Sequence, residues 1–269
     1  IETVDGNTYI GRIFDEDAEM IRFLTDNIGE ISILKKNITS RTIIDQNRIK
    51  DGNYWFENPQ ASRYFWQPNG YSLRRGEGYY QNVWIFLNQV YFGISNNLSL
   101  GVGLVPAFFL GASAAPVWIT PKFSIPVVPD KFNVGGGALV GTVLGEEGTG
   151  FGVLYGVTTF GSRDKNLSFG LGWGYSGSEG LANTPTISLS AMARTGARGY
   201  IMSENYYIGM GNSGIALISL GGRQILRKVG LDYGGILPIA SFIDSFIFIP
   251  WLGITIPFGN APESQVNIR

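Results

Sequence analysis

The sequence predicts an all-β protein: an antiparallel transmembrane β-barrel of about twelve strands, preceded by a small β domain. Three observations predict it. From about residue 79 onward, segments of about ten residues alternate large apolar with small side chains, as "LSLGVGL" (98–104) does. Charge and glycine run in opposite senses: residues 1–80 hold 22 of the 41 charged side chains but only 7 of the 38 glycines. Finally, no charge occurs between Gly78 and Pro121, yet Gln81, Asn82, Asn88, Gln89 and Ser95 interrupt that stretch. A spanning helix would need roughly 18–20 apolar residues in a row, so strands have to carry it.

Composition removes several function classes. A net charge of −1 offers no basic field for a phosphate backbone, so nucleic acid is not an expected partner. The chain contains neither His nor Cys, which removes the usual general base, the commonest metal ligand and every Ser-His or Cys-His pair. The expectation is therefore a non-enzyme with no cofactor and no metal site. The chain begins at Ile1 rather than Met, so a processed or truncated start is expected, compatible with export.

The elements follow in order. Residues 1–50 form the small β domain: an Asp5-Gly6-Asn7 turn, then short strands in "TYIGRIF", "EMIRFLT", "GEISIL" and "KNITSRTII". The acidic run Asp15, Glu16, Asp17, Glu19 lacks the Gly and Glu that a calcium loop needs and reads as a solvated turn. A linker is placed at 51–60, where periodicity is lost, the barrel at 61–259, and a C-terminal tail at 260–269.

Within the barrel, segments are read at 79–94, 98–109, 116–128, 131–143, 150–160, 166–176, 185–194, 199–208, 214–225, 228–239 and 246–258. The even-strand tendency calls for one more, placed within "SRYFWQPNGYSL". Leu98, Leu100, Val102, Leu104, Phe169, Leu171 and Trp173 are expected to face lipid. Tyr155, Val157 and their period-two partners Phe151 and Val153 are assigned to the same face of their strand. Lys122, Arg194 and Asp232 fall on the small-residue face, and with Arg223 they are the expected lumen-facing groups. A Lys or Arg facing lipid at mid-bilayer costs about 2–4 kcal/mol, which explains such sorting. Connections on one side ("SNN", "PDK", "GSRDKN", "TGARG", "LRK") are short and carry net +4. Those on the other ("GASAAP", "LGEEGTG", "SGSEGLANTP", "GMGNSG", "ASFIDS") are longer and carry −4. Aromatic girdles are expected from Tyr79, Tyr80, Phe108, Phe109, Trp173 and Tyr175 at one rim, and from Tyr91, Phe92, Phe132, Phe160 and Phe258 at the other. The competing architecture is a soluble barrel or sandwich with the greasy face inside. It would leave long uncharged strands of Gly and Ser facing water.

Two resemblances add to this reading. The order of residues 1–44 (strand, Asp-Gly turn, strand, acidic turn, two strands) resembles the small Sm/SH3-like barrels. With 7 basic against 9 acidic side chains in residues 1–50, a protein-docking role suits it better than RNA binding. Over residues 61–258 the chain resembles bacterial outer-membrane β-barrel proteins, through "GEGYYQN" (76–82), "VYFGISNNLSLGVGL" (90–104) and "KNLSFGLGWGY" (165–175). The resemblance implies a multi-pass barrel in the outer membrane, with the bilayer as partner and the N-terminal domain in the periplasm. "GMGNSG" (209–214) matches a dinucleotide-loop pattern but lacks a surrounding βαβ unit, and Ser162–Lys165 matches S-x-x-K without its partner motifs. The function expected first is an accessory or structural subunit of an outer-membrane complex, docking protein partners there or in the periplasm. The alternative is a narrow porin-like channel for small solutes, and a carboxylate or Ser–Lys enzyme comes a distant third.

Overall fold

The computed structural model describes residues 1–25, 28–41, 48–50, 53–106, 111, 114–146, 148–210, 213–226 and 228–259. The expected tail at 260–269, part of the linker, the girdle residues Phe108 and Phe109, and the loop charges Glu147 and Arg227 lie outside those residues. The chain divides into two units, one from Ile1 to Trp55 and one beginning at Phe56.

The first unit consists of small antiparallel sheets. Gly11–Glu16, Met20–Thr25 and Gly29–Leu34 form a three-stranded meander, followed by a 3-10 turn at Lys35–Asn37. Glu2–Thr3 pairs with Ile38–Ser40, and Ile49–Lys50 pairs with Asn53–Tyr54. Ile21, Phe23 and Ile33 are its buried apolar residues. The acidic run makes a turn: the Asp17 carboxylate accepts the backbone N–H groups of Glu19 and Met20, both at 2.8 Å.

The second unit is a closed antiparallel barrel. Among the described residues its wall has twelve strands: β1 (Glu77–Val83), β2 (Leu87–Gly93), β3 (Leu98–Leu104), β4 (Ala115–Val128), β5 (Phe132–Leu144), β6 (Phe151–Gly161), β7 (Lys165–Ser176), β8 (Thr186–Arg194), β9 (Gly199–Met210), β10 (Ser213–Leu226), β11 (Val229–Ile239) and β12 (Ile249–Gly259). Each pairs with the next, and β12 closes on β1 from Gly253↔Val83 to Gly259↔Glu77, so no edge is left open. The even-numbered strands up to β10 all run into connections of two to four residues at one end, while the odd-numbered ones meet at the other end through connections of two to ten residues, the longest after β3, β7 and β11. The β4–β5 turn shows the local chemistry. Pro129 cannot continue the ladder, Asp130 takes the left-handed conformation (φ 56°), and the Lys131 amide closes on the Val128 carbonyl at 3.0 Å.

The strand count matches the expectation, but two of its constituents differ. Residues 79–94 are two strands rather than one, joined by a tight turn at Trp84–Phe86. The strand expected in "SRYFWQPNGYSL" does not exist. That segment never enters the wall, because Arg63 bridges back to Pro68 and the Tyr64 amide to the Gln67 carbonyl, folding it into a hairpin turn. The phase of β6 is also reversed. Val157 and Thr159 are buried inside, while Leu154 and Phe160 are exposed outside. Both faces of "FGVLYGV" carry a large residue, so alternation alone could not choose between them. Tyr79 and Tyr91 do not belong to a girdle. Both are buried inside, their rings 5.1 Å apart.

Candidate functional site: the filled barrel interior

A twelve-stranded barrel is wider than an eight-stranded one and cannot be filled by small wall residues alone. Here the chain from Phe56 to Arg74 fills it. Asn58, Gln60, Ala61, Ser62, Arg63, Tyr64, Phe65, Gln67, Asn69, Tyr71, Ser72 and Leu73 are all buried, although they belong to no strand of the wall. Part of the glycine-rich wall makes room for them. A Cβ on Gly170 would lie 3.1 Å from the Gln67 amide nitrogen, and one on Gly230 would lie 3.0 Å from the Pro59 ring. In "LSLGVGL" the space over Gly101 is taken by Tyr91, and that over Gly103 by Trp118.

The segment is held by charged wall residues whose partners are mostly backbone. Arg223, on β10, is fully buried and faces Asp232 on β11 in direct cross-strand register. Its guanidinium binds both carboxylate oxygens, Nε to Oδ1 at 2.6 Å and Nη2 to Oδ2 at 2.8 Å. The remaining donors reach the inner segment: Nη1 to Asn58 Oδ1 and the Gln60 carbonyl, both 2.9 Å, and Nη2 to Gln60 Oε1 at 2.7 Å and the Tyr64 carbonyl at 2.9 Å. Lys122, on β4, is buried and donates to the carbonyls of Ser62 (3.0 Å) and Tyr71 (2.5 Å). Glu204, on β9, is its complement. One oxygen accepts the backbone amides of Trp66 and Gln67 at 2.9 and 3.0 Å, and the other accepts the Tyr206 hydroxyl at 2.8 Å.

Neutral groups complete the attachment. Tyr64 donates to Asn166 Oδ1 at 2.6 Å, Gly70 N–H donates to Thr159 Oγ1 at 2.7 Å, and Gln67 bonds Ser188 and Ser190. The Arg63 guanidinium lies 4.0 Å from the centre of the Tyr91 ring. Phe65 and Trp251, with ring centres 5.4 Å apart, add an apolar patch. Where the segment begins, at the short-turn end, Arg194 binds the Phe56 carbonyl at 2.6 Å and Asp164 at 3.1 Å.

The structure thus places Lys122, Arg223 and Asp232 inside the barrel and brings the last two together; Arg194 sits at its short-turn end. Leu98, Val102, Leu104 and Phe169 are exposed on the outer face, with Leu100, Leu171 and Trp173 half-buried there. Sequence reasoning missed Glu204 and the entire inner segment. The available signal was the polar-aromatic run from Asn58 to Ser72, which holds no period-two pattern and sits between two patterned regions. Among the described residues no group of three or more acidic side chains could hold a metal ion, and no helix is long and apolar enough to cross a membrane.

No protein-family model matches the chain, and no curated protein matches it. Its function has to be argued from the geometry.

Proposed function

We propose that the chain is a non-enzymatic integral protein of a bacterial outer membrane. In this reading its plugged barrel serves as an anchor, and its N-terminal β unit docks a protein partner on the periplasmic side. One observation carries the membrane reading. Every strand from β2 to β12 exposes large apolar side chains on its outer face, among them Phe123, Leu154, Leu189, Leu220 and Leu252. Charged residues in the wall strands either point inward or lie at strand ends, as Glu77 and Lys165 do. The apolar band therefore runs nearly unbroken around the barrel, far larger than the few hundred Å² a soluble monomer tolerates.

The occupied interior favours an anchor over the alternative of a solute channel, because the inner segment bonds to wall strands on many sides. The Sm/SH3-like likeness of the N-terminal unit is supported by its order of meander, 3-10 turn and final strand. Its mixed charge suits a protein surface better than a nucleic acid.

The test exploits two residues that are both open to solvent in the bare protein. Leu189, on β8, is 51% exposed, and Ser178, in the β7–β8 loop, is also exposed. In a membrane, Leu189→Arg should cost about 2–4 kcal/mol and suppress assembly into vesicles, while Ser178→Arg should be neutral. Equal tolerance of both, with the wild-type protein staying soluble without detergent, would reject the membrane reading.

A further inference from the structure

The barrel wall is not of even height. β1, β2 and β3 are 7 residues long, whereas β4, β5, β9 and β10 run to 12–14. Following the pairing register once around the barrel gives a shear of about 14 residues, and hence a strand tilt of about 40°. With that tilt, the short-turn ends of the strands lie near one level. At the loop end, β1–β3 stop roughly 10 Å below the average of the others. The difference is visible locally. Pairing of β12 with β1 ends at Gly253↔Val83, although β12 starts four residues earlier, at Ile249.

The lowered rim has its own chemistry. Its tip is Trp84-Ile85-Phe86, with Ile85 79% exposed and Phe86 exposed beside it. Trp84 and Ile85 both adopt left-handed backbone conformations, φ 52° and 70°, where a hairpin in water would carry Asn-Gly. The neighbouring β11–β12 loop exposes Phe242, Phe246 (85%), Ile247 and Phe248, with the exposed Asp244 between them. The stretch from Gly78 to Pro121, which holds all of β1–β3 but Glu77 at the short-turn end, contains no charge.

Most polar groups of the tip are closed off internally. Asn82 Oδ1 accepts the Ile85 amide at 3.2 Å, and Asn82 Nδ2 donates to the Ile85 carbonyl at 2.9 Å. Asn88 Nδ2 donates to the Phe86 carbonyl at 2.9 Å, and Asn88 Oδ1 accepts the Tyr80 hydroxyl and Asn82 Nδ2. The Trp84 indole and amide donate to the carbonyls of Pro250 and Leu252. A turn in water can leave such groups to solvent, but one in hydrocarbon cannot.

We infer that the β1–β2 turn is submerged in the hydrocarbon of the bilayer and that the aromatic side chains of the adjoining β11–β12 loop dip into it, with the backbone of that loop and Asp244 at the headgroup level, so that lipid acyl chains close over a notch in the barrel rim. This rests on the membrane reading above. The chain has no cysteine, so single-cysteine variants of the full protein report each position. Phe86→Cys, Phe246→Cys, Leu189→Cys and Ser178→Cys, each labelled with a small environment-sensitive fluorophore, are reconstituted in phosphatidylcholine–phosphatidylglycerol vesicles. Quenching by a lipid-borne nitroxide is compared with quenching by aqueous iodide. The labels at 86 and 246 should lose fluorescence to nitroxide as the label at 189 does, and resist iodide, with the label at 178 behaving oppositely. Phe246 lies in a loop and is largely exposed, so its substitution does not threaten the fold. Iodide quenching at both 86 and 246, with 189 still lipid-quenched, overturns the submerged notch alone. Iodide quenching at 189 as well overturns the membrane reading with it.

Discussion

At the scale of the residue, the interior depends on charges that cannot be removed singly. Arg223 satisfies Asp232 and three residues of the inner segment at once. Arg223→Met leaves a buried carboxylate unpaired and should lower stability by about 3–5 kcal/mol, measured by urea unfolding of the vesicle-inserted protein. Replacing Asp232 by Leu in the same chain should recover part of that loss. A double variant less stable than the single one would show that the pair is not what Arg223 serves. In the N-terminal unit, hydrogen bonding to Lys35 first, and then to Arg41, holds the Glu16 carboxyl below the ordinary carboxylate range. A depressed folded pKa means the contribution is present above the unfolded pKa, about 4.3, and is lost as pH falls through the folded value. Hydrogen exchange across Gly11–Glu16, corrected for intrinsic rates, should therefore quicken on acidification below about pH 4.5, and Glu16→Gln should flatten that dependence. An unchanged profile in the variant would assign the acid response to another group.

At the scale of the element, the hairpin from Asn58 to Ser72 decides whether the barrel is an anchor or a channel. Deleting those residues removes no wall strand but empties the space between Lys122, Glu204 and Arg223. In planar bilayers the deletion protein should give steady conductance and the full-length protein none. Conductance by the full-length protein would return the channel reading to first place. The wall strands were legible because one face of each has to be apolar, and the alternation in β3, β4, β7 and β8 shows it directly. The phase of β6 was not legible, since Tyr155 and Val157 are large residues that face inward over glycines such as Gly137. Nor was the split of 79–94, because Trp84 and Ile85 turn the chain without any of the usual turn residues.

At the scale of the whole molecule, twelve strands were expected from parity and chain length, and the closed sheet has twelve. Of the groups expected inside, three are buried there and Arg194 closes the short-turn end. Each of them is engaged with the inner segment, with its cross-strand partner or with a turn. The sequence by itself determined an all-β chain, a closed antiparallel barrel and the alternation of greasy outer and small inner faces, because these follow from local periodicity and from where charge is tolerated. Only the tertiary structure decided what the small inner face is for. Asn58 to Ser72 has no periodicity of its own; its conformation comes from carbonyls and amides that meet Lys122, Glu204 and Arg223, residues 51 to 165 positions away in the chain.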